Sequence, residues 1–204
     1  MIFAYNPTRK IFDDERRVMP REIRKYSPTG YYHVMTRGLN KQRIFKNDKD
    51  RIKYLHCVAD SKDKYDIKVV CYCLMPNHTH LVVYDDKGLI SRFMQSLNGR
   101  YASYYNRKYE RIGYLFQDRF KSENILSQRQ LLAAYRYVLN NLYKAGWCRP
   151  WEYKWNSYSR FQKNSMIVDT TIISDLLQNE MIHKDFVSSY SDEHFIDVEG
   201  ANKK

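Results

Sequence analysis

His78 and His80, in the run Met75-Pro76-Asn77-His78-Thr79-His80-Leu81-Val82-Val83, are the residues of this chain best placed to do chemistry. Side chains on a β-strand alternate faces, so residues two apart project together. The apolar flanks would hold that strand in a sheet, and two imidazoles on one face suit a divalent metal. An H-x-H pair alone often arises from two ordinary surface or core histidines, so a functional reading needs a third ligand and a reaction. Tyr137 and Asn141 supply candidates for both. They lie four apart in Tyr135-Arg136-Tyr137-Val138-Leu139-Asn140-Asn141-Leu142-Tyr143, a spacing that stacks them on one helix face. If that face meets the histidines, Asn141 offers a carbonyl oxygen as third ligand and Tyr137 a phenol. Such a set suits phosphoryl transfer, with the phenolate attacking a metal-polarised phosphate in line. A free phenol has a pKa of about 10, so it needs a base or neighbouring cations. With 19 tyrosines in the chain, a given one packs more often than it reacts. Spacing does not choose between Tyr135 and Tyr137.

The elements that would position these groups follow from pattern. Tyr31–Thr36 reads as a first strand, ended by Arg37-Gly38. Asn47 or Asp48 can cap a helix to about Lys62, with Ile52, Leu55, Cys57, Val58 and Ala59 as its apolar stripe. Strand two spans about Ile67–Leu74, Pro76-Asn77 turns the chain, and His78–Tyr84 returns as a hairpin partner. A second helix runs from Leu89 to about Tyr109, with Ile90, Phe93, Met94, Leu97, Tyr101 and Tyr104 at helical spacing. A short strand ends near Ile125. Ser127 caps a third helix to about Lys144, stopped by Gly146 and Pro150. Its packing stripe is Leu131, Ala134, Tyr135, Val138, Leu142 and Ala145. The order β-α-β-β-α-β-α predicts a ferredoxin-like α+β sandwich, a central antiparallel sheet with helices on one face. Residues 1–18 read as an N-terminal extension ahead of Met19-Pro20-Arg21, 19–161 as the domain, and 162–204 as a C-terminal extension. That extension would hold a short helix at Thr171–Leu177 and a mobile tail of about fifteen residues.

Composition narrows the partners. The 204 residues carry 35 Lys and Arg against 23 Asp and Glu, a formal charge of +12 that favours an anionic partner, nucleic acid foremost. The 19 Tyr and 9 Phe interleave with those cations, as binding of single-stranded nucleic acid requires, although many must be core. Of the four cysteines none form C-x-x-C, and Cys71 and Cys73 are expected to pack. Charges interrupt every apolar run and no signal peptide is visible, so no membrane span and a cytoplasmic location are expected.

The motifs resemble those of the REP-associated tyrosine transposases, within the wider HUH single-tyrosine transposases of bacterial insertion sequences. The resemblance covers about Met19 to Phe161. It rests on Met19-Pro20-Arg21, Tyr32-His33-Val34 with Arg37-Gly38, Met75 through His80, and Gln95 through Asn106 with Arg100-Tyr101. It continues in Phe116 through Lys121 and in Tyr137-Val138 followed by Asn141 and Lys144-Ala145-Gly146. It implies His78 and His80 as ligands of Mg²⁺ or Mn²⁺, Asn141 as third ligand and Tyr137 as nucleophile. The implied activity is metal-dependent cleavage and rejoining of hairpin-forming single-stranded DNA through a 5′-phosphotyrosine, and the family leaves room for a homodimer. Two departures stand out. Thr79 replaces a bulky apolar residue and Leu142-Tyr143 replaces a common Pro-Val. Neither touches a ligand, and losing a proline is harmless inside a helix.

Candidate phosphate contacts are Arg92, Arg100, Arg107 and Lys108 on the second helix, with Arg119 and Lys121 after it; the alternative is a solvated helix face. His33 matches a landmark but reads as structural, and His56, His183 and His194 have no partner at ligand spacing. Rival functions are a replication-initiator or relaxase-type HUH nuclease, a domesticated hairpin-DNA binder that no longer cleaves, and a basic RNA-binding domain.

Overall fold

Two strands buried almost end to end require cover on both faces of their sheet, and Lys68–Leu74 (β2) and His78–Tyr84 (β3) are buried in that way. The computed structural model describes residues 26–160, 165–177 and 179–189. The expected N-terminal extension, Met19-Pro20-Arg21, His194 and the expected mobile tail lie outside these residues. The described elements are β1 (Tyr31–Arg37), α1 (Asp48–Tyr65), β2, β3, α2 (Ile90–Lys108), β4 (Lys121–Ile125) and α3 (Gln128–Leu139). Three more helices follow: α4 (Asn141–Lys144), α5 (Thr171–Leu177) and α6 (Glu180–Ser188). The sheet order is β2-β3-β1-β4 with every neighbour antiparallel, the ferredoxin-like α+β arrangement.

One core lies between α1, α2 and one sheet face. Tyr54, Cys57 and Val58 of α1 and Phe93, Met94, Leu97 and Tyr101 of α2 pack on Tyr32, Val34, Leu81 and Val83. A second core lies on the opposite face, where Leu131, Ala134, Tyr135 and Val138 of α3 meet Val70, Cys71, Cys73, Val82 and Ile125. Helices on one face therefore describes α1 and α2 only. The strands are apolar on both sides, and α3 covers the second. Cys71 and Cys73 are fully buried there, which pushes both thiols far above their ordinary range.

Local chemistry corrects several of the expected stripes. Asn47 caps α1 in a capping box with Asp50. The buried Asp50 carboxylate also binds Lys108 Nζ and accepts from Tyr109 Oη at 2.7 Å. Burial raises its pKa, but these bonds and two backbone amides outweigh burial and hold the group below its usual range. The inward face of α1 thus runs through Asp50, Tyr54, Cys57, Val58 and Ser61, leaving Ile52 46% exposed. On α2 Tyr105 is buried as well as Tyr101, whereas Tyr104 is partly buried, its hydroxyl 3.3 Å from Asp50. The third helix ends earlier than its pattern implies: the backbone leaves helical geometry at Asn140 (φ −86°, ψ 3°), whose Nδ2 donates to Arg136 O at 3.0 Å and to Val187 O at 2.7 Å.

Helix α6 had no sequence signal. It docks on α3 through Tyr135 Oη and His183 Nε2 at 2.9 Å, Arg136 Nη1 to Ser189 Oγ at 2.7 Å, and Val187 in the second core. Part of the assumed C-terminal extension is therefore core structure. Burial lowers the His183 pKa to about 4. An unfolded histidine binds its proton near 6.5, so between those values the unfolded chain holds more protons. Stability from this site is full above about pH 6.5 and declines as pH falls towards 4. Hydrogen-exchange protection of α6, corrected for intrinsic exchange, should fall across that window while β1 and β3 stay protected. Among the described residues no helix is long and apolar enough to cross a membrane.

Candidate active site

Strand register decides which side chains face α3. On β1 and β3, His33 lies opposite Val82, Met35 opposite His80 and Arg37 opposite His78. On β4, Lys121 lies opposite Met35 and Glu123 opposite His33. Directly opposed residues share a face, so His33, Arg37, His78, His80, Lys121 and Glu123 lie on the side that α3 covers. Thr79 projects the other way, its Oγ1 3.1 Å from Tyr54 Oη. The turn before His78 is pinned by three backbone bonds: Ile44 N and Phe45 N donate to Pro76 O at 2.8 and 3.1 Å, and Gly38 N donates to Asn77 O at 2.8 Å. Only glycine fits at 38, because a Cβ there would lie 2.3 Å from Gln42 O.

Tyr137 is the α3 tyrosine that meets the histidines. Its ring packs edge-on to His33 at 5.6 Å and to His80 at 5.9 Å between centroids. Lys144 Nζ lies 4.8 Å from the centre of the same ring. Tyr135 instead points at His183. Asn141 opens α4, one turn beyond Tyr137, and is buried at 8% exposure.

The histidines form a connected set. His33 Nε2 and His80 Nδ1 are 2.9 Å apart, and Glu123 Oε2 lies 3.8 Å from His33 Nδ1. His78 Nδ1 is 2.7 Å from Asn77 Oδ1. Both δ nitrogens of the H-x-H pair are therefore engaged. His80 Nε2 is buried and has no hydrogen-bond partner among the described residues. Burial, with His78 and His33 alongside, holds His80 well below the usual imidazole range, in the neutral form that a metal binds. Both features fit a metal ion. Among the described residues no three His, Cys, Asp or Glu are grouped to hold one. Asn141 is the amide in the adjoining turn.

Beside His78 opens a cavity of about 340 Å³ lined by Arg37, Lys41, Arg43, Met75, Pro76, Asn77, His78, Ala145 and Trp147. Three cations converge there. The chain reaches Lys41 through two left-handed residues, Asn40 at φ 49° and Lys41 at φ 60°. A lysine pays for that conformation by about 1–2 kcal/mol, which the surrounding bonds must offset.

The six cations expected to contact phosphate are dispersed. Arg92, Arg100, Arg107 and Lys108 lie on α2, which packs on the sheet face away from the histidines. Arg100 pairs with Asp60 and Lys108 with buried Asp50. Arg119 lines a separate cavity between α2 and residues 113–120. Lys121 alone among the six shares the histidine face. Arg37, Lys41 and Arg43 carry no local signal as contacts, since only the strand register and the pinned turn bring them to the site, and Lys144 reaches the Tyr137 ring from α4.

Residues 27–141 match the family model of the IS200-like transposases, a span that holds His33, His78, His80, Tyr137 and Asn141. The chain belongs to the IS200-like transposase family. Its membership agrees with the resemblance that the histidine and tyrosine motifs carried. Among solved structures, a REP-associated tyrosine transposase bound to a REP hairpin is similar to this IS200-like transposase, with a TM-score of 0.54 and 15% identity over 75% of this chain and 94% of the other. A transposase structure from Deinococcus radiodurans R1 has a TM-score of 0.41 and 16% identity, over 59% of this chain and 97% of the other. At 15% identity the likeness to the first of these shows the fold alone. No curated protein matches the chain.

Proposed function

We propose that this IS200-like transposase is a metal-dependent DNA endonuclease and strand transferase that binds hairpin-forming single-stranded DNA and acts through a covalent 5′-phosphotyrosine on Tyr137. The carrying observation is the Tyr137 ring packed against His80, whose buried Nε2 lacks a partner among the described residues. A Mg²⁺ or Mn²⁺ held by His78, His80 and Asn141 would polarise a non-bridging oxygen of the scissile phosphate. The Tyr137 oxygen bonds to phosphorus as the bond to the 3′ oxygen breaks. The phenol gives up its proton, and the departing strand leaves as a 3′ hydroxyl. Lys144 Nζ, over the ring, brings a positive charge to the same site. Arg37, Lys41 and Arg43 offset the phosphate charge beside His78. Attack by another 3′ hydroxyl on the phosphotyrosine reverses these steps and joins a second strand without ATP.

The hairpin in the similar transposase structure supports hairpin DNA as the partner. Tyr137 and His80 meet within one chain, the arrangement that cleavage by one protomer would use. The test uses a 3′-labelled hairpin oligonucleotide with single-stranded flanks, incubated with the protein and Mn²⁺. A labelled protein–DNA band on a denaturing gel is expected, and EDTA should remove it. Hairpin binding without the band would mark a domesticated, non-cleaving binder and end the endonuclease reading.

A further inference from the structure

Large rings left in solvent beside an active site call for an occupant. Tyr143, Trp147 and Trp151 are 45%, 58% and 39% exposed, and all follow closely on Tyr137. Cations interleave with them. The Arg149 guanidinium lies 4.3 Å from the Tyr143 ring centre and 5.8 Å from that of Trp151, and Lys184 Nζ lies 5.3 Å from Trp151. Trp147 forms part of the wall of the cationic cavity beside His78. The backbone beneath these rings is fixed. Trp147 N donates to Leu142 O at 3.0 Å, Arg149 N to Glu152 Oε2 at 2.9 Å, and Asn156 Nδ2 to Pro150 O at 2.8 Å.

We infer that the segment from Tyr143 to Trp151 is a stacking track for the unpaired DNA strand that leads to the scissile phosphate. This rests on the DNA-cleaving reading above and extends it to a part of the substrate. Trp147 takes a base next to the scissile phosphate, while the cavity cations hold the flanking phosphates. Tyr143 and Trp151 take bases farther along, with Arg149 between them. Rings interleaved with cations bind single strands, because every unpaired base offers a π-face and every linkage a charge. A duplex hides its base faces and would meet only the cations.

The experiment uses the full chain in EDTA, which separates this track from metal-dependent chemistry, and a fluorescein-labelled oligothymidylate of about ten nucleotides. Anisotropy should show Trp147→Ala and Trp151→Ala each weakening binding by roughly five- to a hundredfold, with Trp→Phe at either position keeping most of the affinity. The chain has three tryptophans. Oligothymidylate should quench wild-type tryptophan emission, and W147F/W151F, which keeps only Trp155, should lose that quenching. Alanine variants that melt normally and bind like wild type would overturn the track, as would equal quenching by a duplex of the same length. If those results accompany an intact Tyr137 adduct on the hairpin substrate, the track falls and the nuclease stands. A wild type that neither binds nor forms the adduct overturns both.

Discussion

Tyr137→Phe is expected to lower DNA strand cleavage by at least about a thousandfold and to remove the denaturation-resistant adduct, because no other group in the site can form the phosphotyrosine. Hairpin affinity should stay close to wild type, since the cations of the site are untouched. Folding should survive as well. The ring that packs on His33 and His80 is retained, and loss of one hydroxyl costs about 1 kcal/mol. Tyr135→Phe is the informative companion, because spacing alone left the two tyrosines equal. Its hydroxyl is 2.9 Å from His183 Nε2 in a buried setting, so its loss strands an imidazole nitrogen and costs about 1–3 kcal/mol of stability. The prediction is a double dissociation: Y137F melts normally but forms no adduct, whereas Y135F melts lower and forms it. Thermal denaturation and a denaturing gel on the two variants check it. An adduct persisting in Y137F would sink the assignment.

What could be read from the sequence was local in origin. The H-x-H pair, the hairpin around Pro76-Asn77 and the α2 stripe from Ile90 to Tyr101 each follow from strand or helix period, and each stands in the fold. Mixed polar and apolar side chains were harder. Hydropathy favours Ile52 over Tyr54 for the α1 stripe, yet the phenol lies in the core with its hydroxyl on Thr79, and Ile52 faces solvent. Residues whose neighbours come from distant segments left no local signal. Arg37 lies beside His78 only because β1 and β3 pair in one register, and a slip of one residue would turn it to the other face. Lys108 read as a free phosphate contact because Asp50, its partner, is 58 residues away. Helix α6 is short, and what seats it is Tyr135, Arg136 and Asn140 of α3.

His33 is the sharpest case, and it carries the second large effect. From sequence it was a strand histidine with a structural reading; in the fold it stands between Glu123 and His80. If His80 Nδ1 donates to His33 Nε2, then His80 Nε2 keeps its lone pair for the proposed metal. The Glu123 carboxylate near His33 Nδ1 favours the His33 tautomer that leaves Nε2 as acceptor. His33→Phe keeps a ring of similar size but removes the acceptor, so His80 is free to rotate or to adopt the other tautomer. Affinity for Mn²⁺ should fall by about 10- to 100-fold, the usual cost of losing an outer partner of a metal-ligating histidine. His33→Gln, whose amide oxygen can accept the same bond, should recover part of the loss. Mn²⁺ titration followed by electron paramagnetic resonance reads this without DNA, so it is independent of cleavage. A purely packing role for His33 predicts the reverse order, with Phe tolerated and Gln harmful. Mn²⁺ affinity equal to wild type in H33F, at an unchanged melting temperature, would remove His33 from the site.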